Sequence, residues 1–178
     1  MKDIIAFAGS NSSASINHQL LAYAKKQIDN GETNVNLIRL TDFDIPMFSI
    51  DIEQNDGIPG GVKQLDAKIQ SAGAVIISVA EHNGNISAFF KNIIDWLSRH
   101  NRHFLDGKKI LLLSTSPGKG GATSALEITN KTLPYFKGEV MGKISIGSFY
   151  DVLKEGKIAD EKIKKDLESL FKELVKSV

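Results

Sequence analysis

Residues 74–80 read AVIISVA, an apolar run of strand length rich in β-branched side chains. Such a run predicts a strand covered on both faces. It breaks at Glu81, His82, Asn83, Gly84 and Asn85, and an apolar stripe at helical spacing follows: Ile86, Phe89, Phe90, Ile93, Ile94 and Leu97. This stretch is therefore strand, polar loop, helix. The rest of the chain repeats the pattern. A short apolar run at 4–8 predicts the first strand, and a helix from about Asn17 carries Leu20, Leu21, Ala24 and Ile28 inward until Asn30-Gly31 stops it. Residues 35–40 alternate and predict a half-covered edge strand. Residues 42–61 hold Pro46, Pro59 and three glycines and predict a long irregular segment. A helix over 62–72 buries Val62, Leu65 and Ile69. Ile110 to Leu113 form the centre of a second interior strand, at 109–115. A helix over 122–133 closed by Pro134, a strand over 140–146, a turn at Gly156 and a helix capped by Asp160 complete the chain.

Five strands alternating with helices predict a doubly wound α/β sheet. Right-handed crossovers and five strands favour the order 2-1-3-4-5, a parallel sheet with helices on both faces. No repeat, low-complexity tract or linker divides residues 1–178, so one domain is expected.

Composition narrows the function classes. A net charge of +1 gives no global electrostatic case for nucleic acid or an anionic membrane. There is no cysteine, which excludes disulfides, thiol catalysis and cysteine-bound metal and suits a reducing compartment. No apolar run approaches the roughly 20 residues that span a bilayer. Residues 1–3 lead into a strand with no signal-peptide pattern, so a cytoplasmic protein is expected.

The expected strand order sets strands 1, 3 and 4 side by side, and their carboxyl-end loops are the three unusual ones. The first, Gly9 to Asn17, has four serines and ends where a helix begins. Hydroxyls and free amides at a helix N-terminus suit a phosphate; a serine-rich cap is the plainer alternative. This is neither G-x-G-x-x-G nor a Walker A loop, and the chain has no G-x-S-x-G elbow. The second loop, Glu81 to Asn85, is the floor of a small-molecule site or an ordinary connection. The third, Ser114 to Gly121, has Gly118, Gly120 and Gly121, which allow close backbone approach to a ligand or simply form a mobile tip. Glu81 reads better as a carboxylate whose backbone faces the ligand than as a general base. His100 and His103 suit a solvated helix end better than a metal.

Three blocks resemble the NAD(P)H-dependent FMN reductases, the flavodoxin-like quinone and azo-dye reductases. Gly9-Ser10 with Ser15-Ile16-Asn17 resembles that family's G-S-x-R-x-x-S-x-N phosphate loop. Glu81 to Ile86 with Phe90 to Trp96 resembles P-E-Y-N-G-S-I and L-K-N-x-I-D-W. The third block is the glycine-rich loop after strand 4, and Asp44 to Phe48 resembles a Leu-Pro-aromatic segment. The resemblance implies non-covalent FMN, with NADPH or NADH as electron donor and a small-molecule acceptor. Carried over, Ser10, Ser12, Ser15, Ile16 and Asn17 hold the phosphate. Glu81, His82, Asn83 and Gly84 lie along the ring, and Ser116, Gly118 and Gly121 close its other side. The flavin then carries the chemistry, and no catalytic side chain is implied. Three departures stand out. Ser12 replaces the family arginine, so amides and the helix dipole must balance the phosphate. Ala80 replaces proline. His82 replaces tyrosine and brings a group that titrates near neutral pH to the ring. Members of the family pair through helices after strands 3 and 4. Phe89, Ile93 and Trp96 widen the apolar girth of the first of these, and a homodimer or tetramer is expected. Two other readings remain: an FMN electron carrier that takes no hydride, and a flavin-binding sensor. A pI near 7.9 weighs against the carrier, since such carriers are typically acidic.

Overall fold

The computed structural model describes residues 2–178. Five parallel strands form the central sheet: β1 (Lys2–Ala8), β2 (Thr33–Ile38), β3 (Ala74–Val79), β6 (Lys109–Thr115) and β7 (Glu139–Ile146). Their spatial order is β2-β1-β3-β6-β7, the order that the pattern of runs predicts. Two short antiparallel ribbons complete the strands: β4 (Glu81–His82) with β5 (Asn85–Ile86), and β8 (Leu153–Lys154) with β9 (Lys157–Ile158).

Strand periodicity divides the core into two halves. Ile5 and Phe7 of β1, Val75, Ile77 and Val79 of β3, and Ile110 and Leu112 of β6 face one side. There they meet α3 (Gly60–Ser71), α4 (Ala88–His100) and α5 (Thr123–Thr132). Ile4, Ala6, Ala74, Ile76, Leu111 and Leu113 face the other side, against α1 (Ile16–Ile28) and α7 (Glu161–Lys176). Every residue of β3 is buried, which is why its sequence is apolar but for Ser78 rather than alternating.

Two expectations are corrected. Residues 42–61 are not wholly irregular: α2 (Ile50–Asp56) lies within them, and α3 starts at Gly60. Ser49 caps α2 by accepting from the Asp51 amide at 3.2 Å, and Gly57, at φ 76°, ends it. No residue of α2 is buried, so no apolar period marks it. Ile86 is not the first residue of the helical stripe; it pairs with Glu81 in the β4–β5 ribbon, and α4 begins beyond it. Asn83 at φ 53° and Gly84 at φ 74° form the two-residue turn of that ribbon, the left-handed pair an Asn-Gly hairpin favours.

The apolar girth of α4 finds its second partner within the chain. Trp96 is fully buried and donates Nε1–H to the Pro46 carbonyl at 2.8 Å. Asn92 donates to the same carbonyl at 2.9 Å and accepts from the Phe48 amide at 2.7 Å. Phe48 meets Trp96 edge-on, with centroids 5.0 Å apart. Phe89 stays half-buried. At the helix end, Arg99 forks onto Glu53 of α2 at 2.9 and 3.0 Å, and Arg102 stacks over Phe136. Among the described residues, no helix is long and apolar enough to cross a membrane. Between β7 and the β8–β9 ribbon lies the short α6 (Phe149–Val152).

Candidate functional site

The strand order reverses between β1 and β3, since β2 lies on one side of β1 and β3 on the other. In sheets of this kind the crevice outside the carboxyl ends at such a point is where ligands bind. A cavity of about 260 Å³ opens there. Ser10, Ser12, Ser15 and Asn17 line it from the first loop, Ala80 to His82 from the second, Ser116 and Pro117 from the third, and Tyr150 from α6.

The first loop is fixed by close packing. Gly9 donates to the Ser78 carbonyl at 2.9 Å. A Cβ on Gly9 would stand 2.7 Å from the Phe90 ring, so only glycine fits. Its carbonyl accepts from Ser87 Oγ at 2.7 Å, and the same oxygen of Ser87 caps α4 through the Phe90 amide. Ser10 Oγ then accepts from the Ser12 amide and Ser12 Oγ from the Ala14 amide, each at 3.3 Å. Ser15 Oγ accepts from the His18 amide at 3.2 Å and caps α1. Each of these hydroxyls spends lone pairs on the backbone and keeps its O–H to donate. The Ile16 and Asn17 amides open α1 and have no partner inside the helix. Three O–H donors and a helix N-terminus around one cavity suit an anion of phosphate size.

Asn17 works inward. It is 4% exposed. Its Oδ1 accepts from Ser78 Oγ at 2.8 Å and from the Thr115 amide at 3.2 Å, and its Nδ2 donates to the Thr115 carbonyl at 3.4 Å. The side chain ties the start of α1 to the ends of β3 and β6, leaving its backbone amide for a ligand.

Glu81 is a helix cap. Ala122, which precedes α5, sits at φ 63° and supplies no side-chain cap. Glu81 Oε2 instead accepts from the Ala125 amide at 3.0 Å. An anionic acceptor at a helix N-terminus meets both the open amide and the dipole. The side chain therefore turns toward α5, and the part of the residue left for the cavity is its backbone. Glu81→Ala is expected to lower the unfolding free energy by about 1–2 kcal/mol in urea titrations.

The other predicted residues divide between the cavity and its surroundings. His82 is exposed and lines it. Asn83 and Gly84 form the tip of the β4–β5 ribbon. Asn83 faces a second hollow, shared with His82, Ala88, Lys91 and Ile128. Ser116 Oγ donates to the Gly118 carbonyl at 2.9 Å, so its hydroxyl proton is held within its own loop. Gly118 is exposed, and its carbonyl also accepts from the Ser148 amide at 2.8 Å. Gly121 is buried at φ 63°, with its carbonyl taking Ser114 Oγ at 2.7 Å and Ser145 Oγ at 2.9 Å. Gly118 and Gly121 shape the third loop from outside the cavity.

Tyr150 is the cavity residue that the sequence pattern missed. It is 63% exposed and packs edge-on against buried Phe149. Amides from the Ser148–Phe149 turn reach the Gly118 and Ser116 carbonyls, which is how a segment beyond the last sheet strand reaches the site. An exposed aromatic beside a buried one was the available signal.

The sequence model of the NADPH-dependent FMN reductases matches residues 2–151, which include every loop around this cavity. The chain belongs to that family. FMN is the cofactor that membership assigns, with NAD(P)H as donor. Among curated relatives of this FMN reductase family member, an uncharacterised protein of Mycoplasma pneumoniae is 30% identical over 148 residues, covering 79% of this chain and 84% of its own length. The quinone reductase of Escherichia coli is 34% identical over 100 residues, covering 56% of this chain and 53% of its own. The match thus spans about half the length of that relative. Among solved structures, the flavoenzyme NAD(P)H:(acceptor) oxidoreductase FerB of Paracoccus denitrificans superposes with a TM-score of 0.79 at 24% identity, over 99% of this chain and 96% of its own. An FMN-dependent NADH-azoreductase of Bacillus anthracis in complex with FMN gives a TM-score of 0.61 at 16% identity, over 98% and 99%. At such identities these two likenesses speak to the fold.

Proposed function

We propose that this protein is an FMN-containing oxidoreductase that takes hydride from NADPH or NADH and delivers electrons to a small acceptor such as free flavin, a quinone or an azo compound. The observation that carries the reading is the cavity at the strand-order reversal, where three serine hydroxyls and the first amides of α1 stand ready to donate. Bound FMN supplies the redox chemistry, receiving hydride and releasing electrons. The chain's own part is to bind, orient and shield. Ser10, Ser12, Ser15 and the amides of Ile16 and Asn17 hold the phosphate. The backbone of Ala80 to His82 flanks the ring, with Asn83 and Gly84 fixing the ribbon that carries it. Ser116, Pro117 and Tyr150 close the opposite wall, and Gly118 and Gly121 set the course of that wall. No side chain is asked to act as acid or base.

Residues 1–178 act as one domain in this reading. The protein pairs into a homodimer or a tetramer, for which exposed Met47 and Ile50 offer apolar surface beside α4. A cytoplasmic home belongs to the same proposal, the cysteine-free chain suiting a reducing compartment.

Purified protein is expected to take up FMN, turn yellow and bleach rapidly when mixed anaerobically with NADPH or NADH. A yellow protein that bleaches with neither donor would indicate an electron carrier or sensor. A protein that takes up no flavin would overturn the assignment.

A further inference from the structure

The phosphate of FMN is a dianion near neutral pH, yet among the described residues no lysine or arginine lines the cavity proposed to hold it. The one carboxylate among the lining side chains, Glu81, is engaged by the Ala125 amide. Ser12 cannot supply charge. Hydroxyls and amides orient an anion, but a positive charge nearby adds attraction that they cannot.

One cation lies against the back of the first loop. Arg39 follows directly on β2, whose carboxyl end adjoins that of β1. Its Nη2 donates to the Ser13 carbonyl at 3.5 Å. Ser13 lies between the hydroxyls of Ser12 and Ser15. The chain has three arginines: Arg99 is paired with Glu53, Arg102 lies over Phe136, and Arg39 makes no ion pair among the described residues. The residue is half-buried while its contact with Ser13 is exposed, so salt screens its field in part.

Two other titratable groups face this spot. Burial first, and then the charge of Arg39, push the His18 imidazole below its ordinary value of 6.5, while the weaker pull of Asp42 acts upward. His18 is therefore neutral at pH 7 and is not the missing cation. Asp42 acts on the same imidazole but comes within ion-pair distance of no cation among the described residues, so it weakens the field of Arg39 without pairing with it.

We infer that Arg39 supplies the positive charge for the FMN phosphate, acting from behind the loop that binds it. The inference rests on the proposed seating of FMN at this loop. It makes Arg39 a binding residue that discriminates phosphorylated from unphosphorylated flavin.

The test compares FMN with riboflavin, which lacks the phosphate, by quenching of flavin fluorescence. Arg39→Gln is expected to weaken FMN binding by about five- to tenfold and leave riboflavin binding unchanged. Arg39→Lys, which keeps a charge, is expected to retain most of the FMN affinity. In the wild type, 0.5 M salt should weaken FMN binding and spare riboflavin, a measurement that needs no variant to fold. If Arg39→Gln weakened both flavins equally, Arg39 would be a prop for the loop and the inference would fall. It would fall equally if the FMN-to-riboflavin ratio were the same in wild type and variant. A wild type that bound no FMN would overturn the seating of FMN itself and this inference with it.

Discussion

Asn17→Ala is expected to destabilise the protein by about 2–4 kcal/mol and to weaken FMN binding at least tenfold. The two effects share a cause. Asn17 is buried, and both ends of its amide are used: Oδ1 by the Ser78 hydroxyl and the Thr115 amide, Nδ2 by the Thr115 carbonyl. Alanine would take a partner from the N–H and C=O of Thr115, a residue only 2% exposed, where each lost partner costs on the order of 1–3 kcal/mol. The Ser78 hydroxyl, 0% exposed, loses the acceptor it has in Asn17 Oδ1 as well. The same bonds hold the first turn of α1 over the sheet, and that turn presents the amides proposed for the phosphate. Asn17→Asp keeps two acceptors but sets a carboxylate against the Thr115 carbonyl, so it should also be costly. Urea unfolding with flavin titration checks both variants. An Asn17→Ala protein of unchanged stability would show that the bridge between α1, β3 and β6 is dispensable.

Trp96→Ala is expected to cost about 3–5 kcal/mol, the loss typical of a large ring removed from a closed core. Trp96 is 0% exposed, so the cavity left behind has no route for solvent. Its Nε1–H also anchors Pro46, and its ring meets Phe48. Two consequences should follow together: a lower urea midpoint, and faster limited proteolysis within residues 42–58, whose hold on α4 runs largely through Trp96 and Asn92. Trp96→Phe keeps an aromatic filler but leaves the Pro46 carbonyl with Asn92 alone, at about 1 kcal/mol. If Trp96→Ala unfolded at a lower midpoint with unchanged cleavage in 42–58, that segment would be shown to depend on other contacts.

These two residues mark what the sequence could and could not say. The sheet order was legible because β3 and β6 carry continuous apolar runs at 74–77 and 110–113, and only interior strands of a two-sided sheet need that. The three loops followed from the order. The direction of each side chain within those loops was not legible. Asn17 reaches partners 61 and 98 residues away, so no local pattern reveals that it faces inward. Glu81 turns toward α5 because Ala122 leaves that helix uncapped, a need that appears only once α5 is placed beside the ribbon. The girth of α4 pointed to a second partner and hence to another subunit. The segment around Pro46 and Phe48 covers Trp96 instead, a tertiary contact across 50 residues. α2 left no trace because only Ile52 of its seven residues packs, half-buried, against the core. Tyr150 left a weak one, because its place at the cavity depends on how the chain turns after β7.

The packing of Gly9 against Phe90 limits how the first loop can change over evolutionary time. Position 9 is closed to any larger residue, since even a methyl group must displace a core ring. The opening of the loop and the amphipathic helix α4 share a joint there and drift only in concert. The side chains at positions 11 to 13 are exposed, so none of them is held by core packing as Gly9 is. Change in such a scaffold is thus channelled into the exposed middle of the turn rather than its first residue.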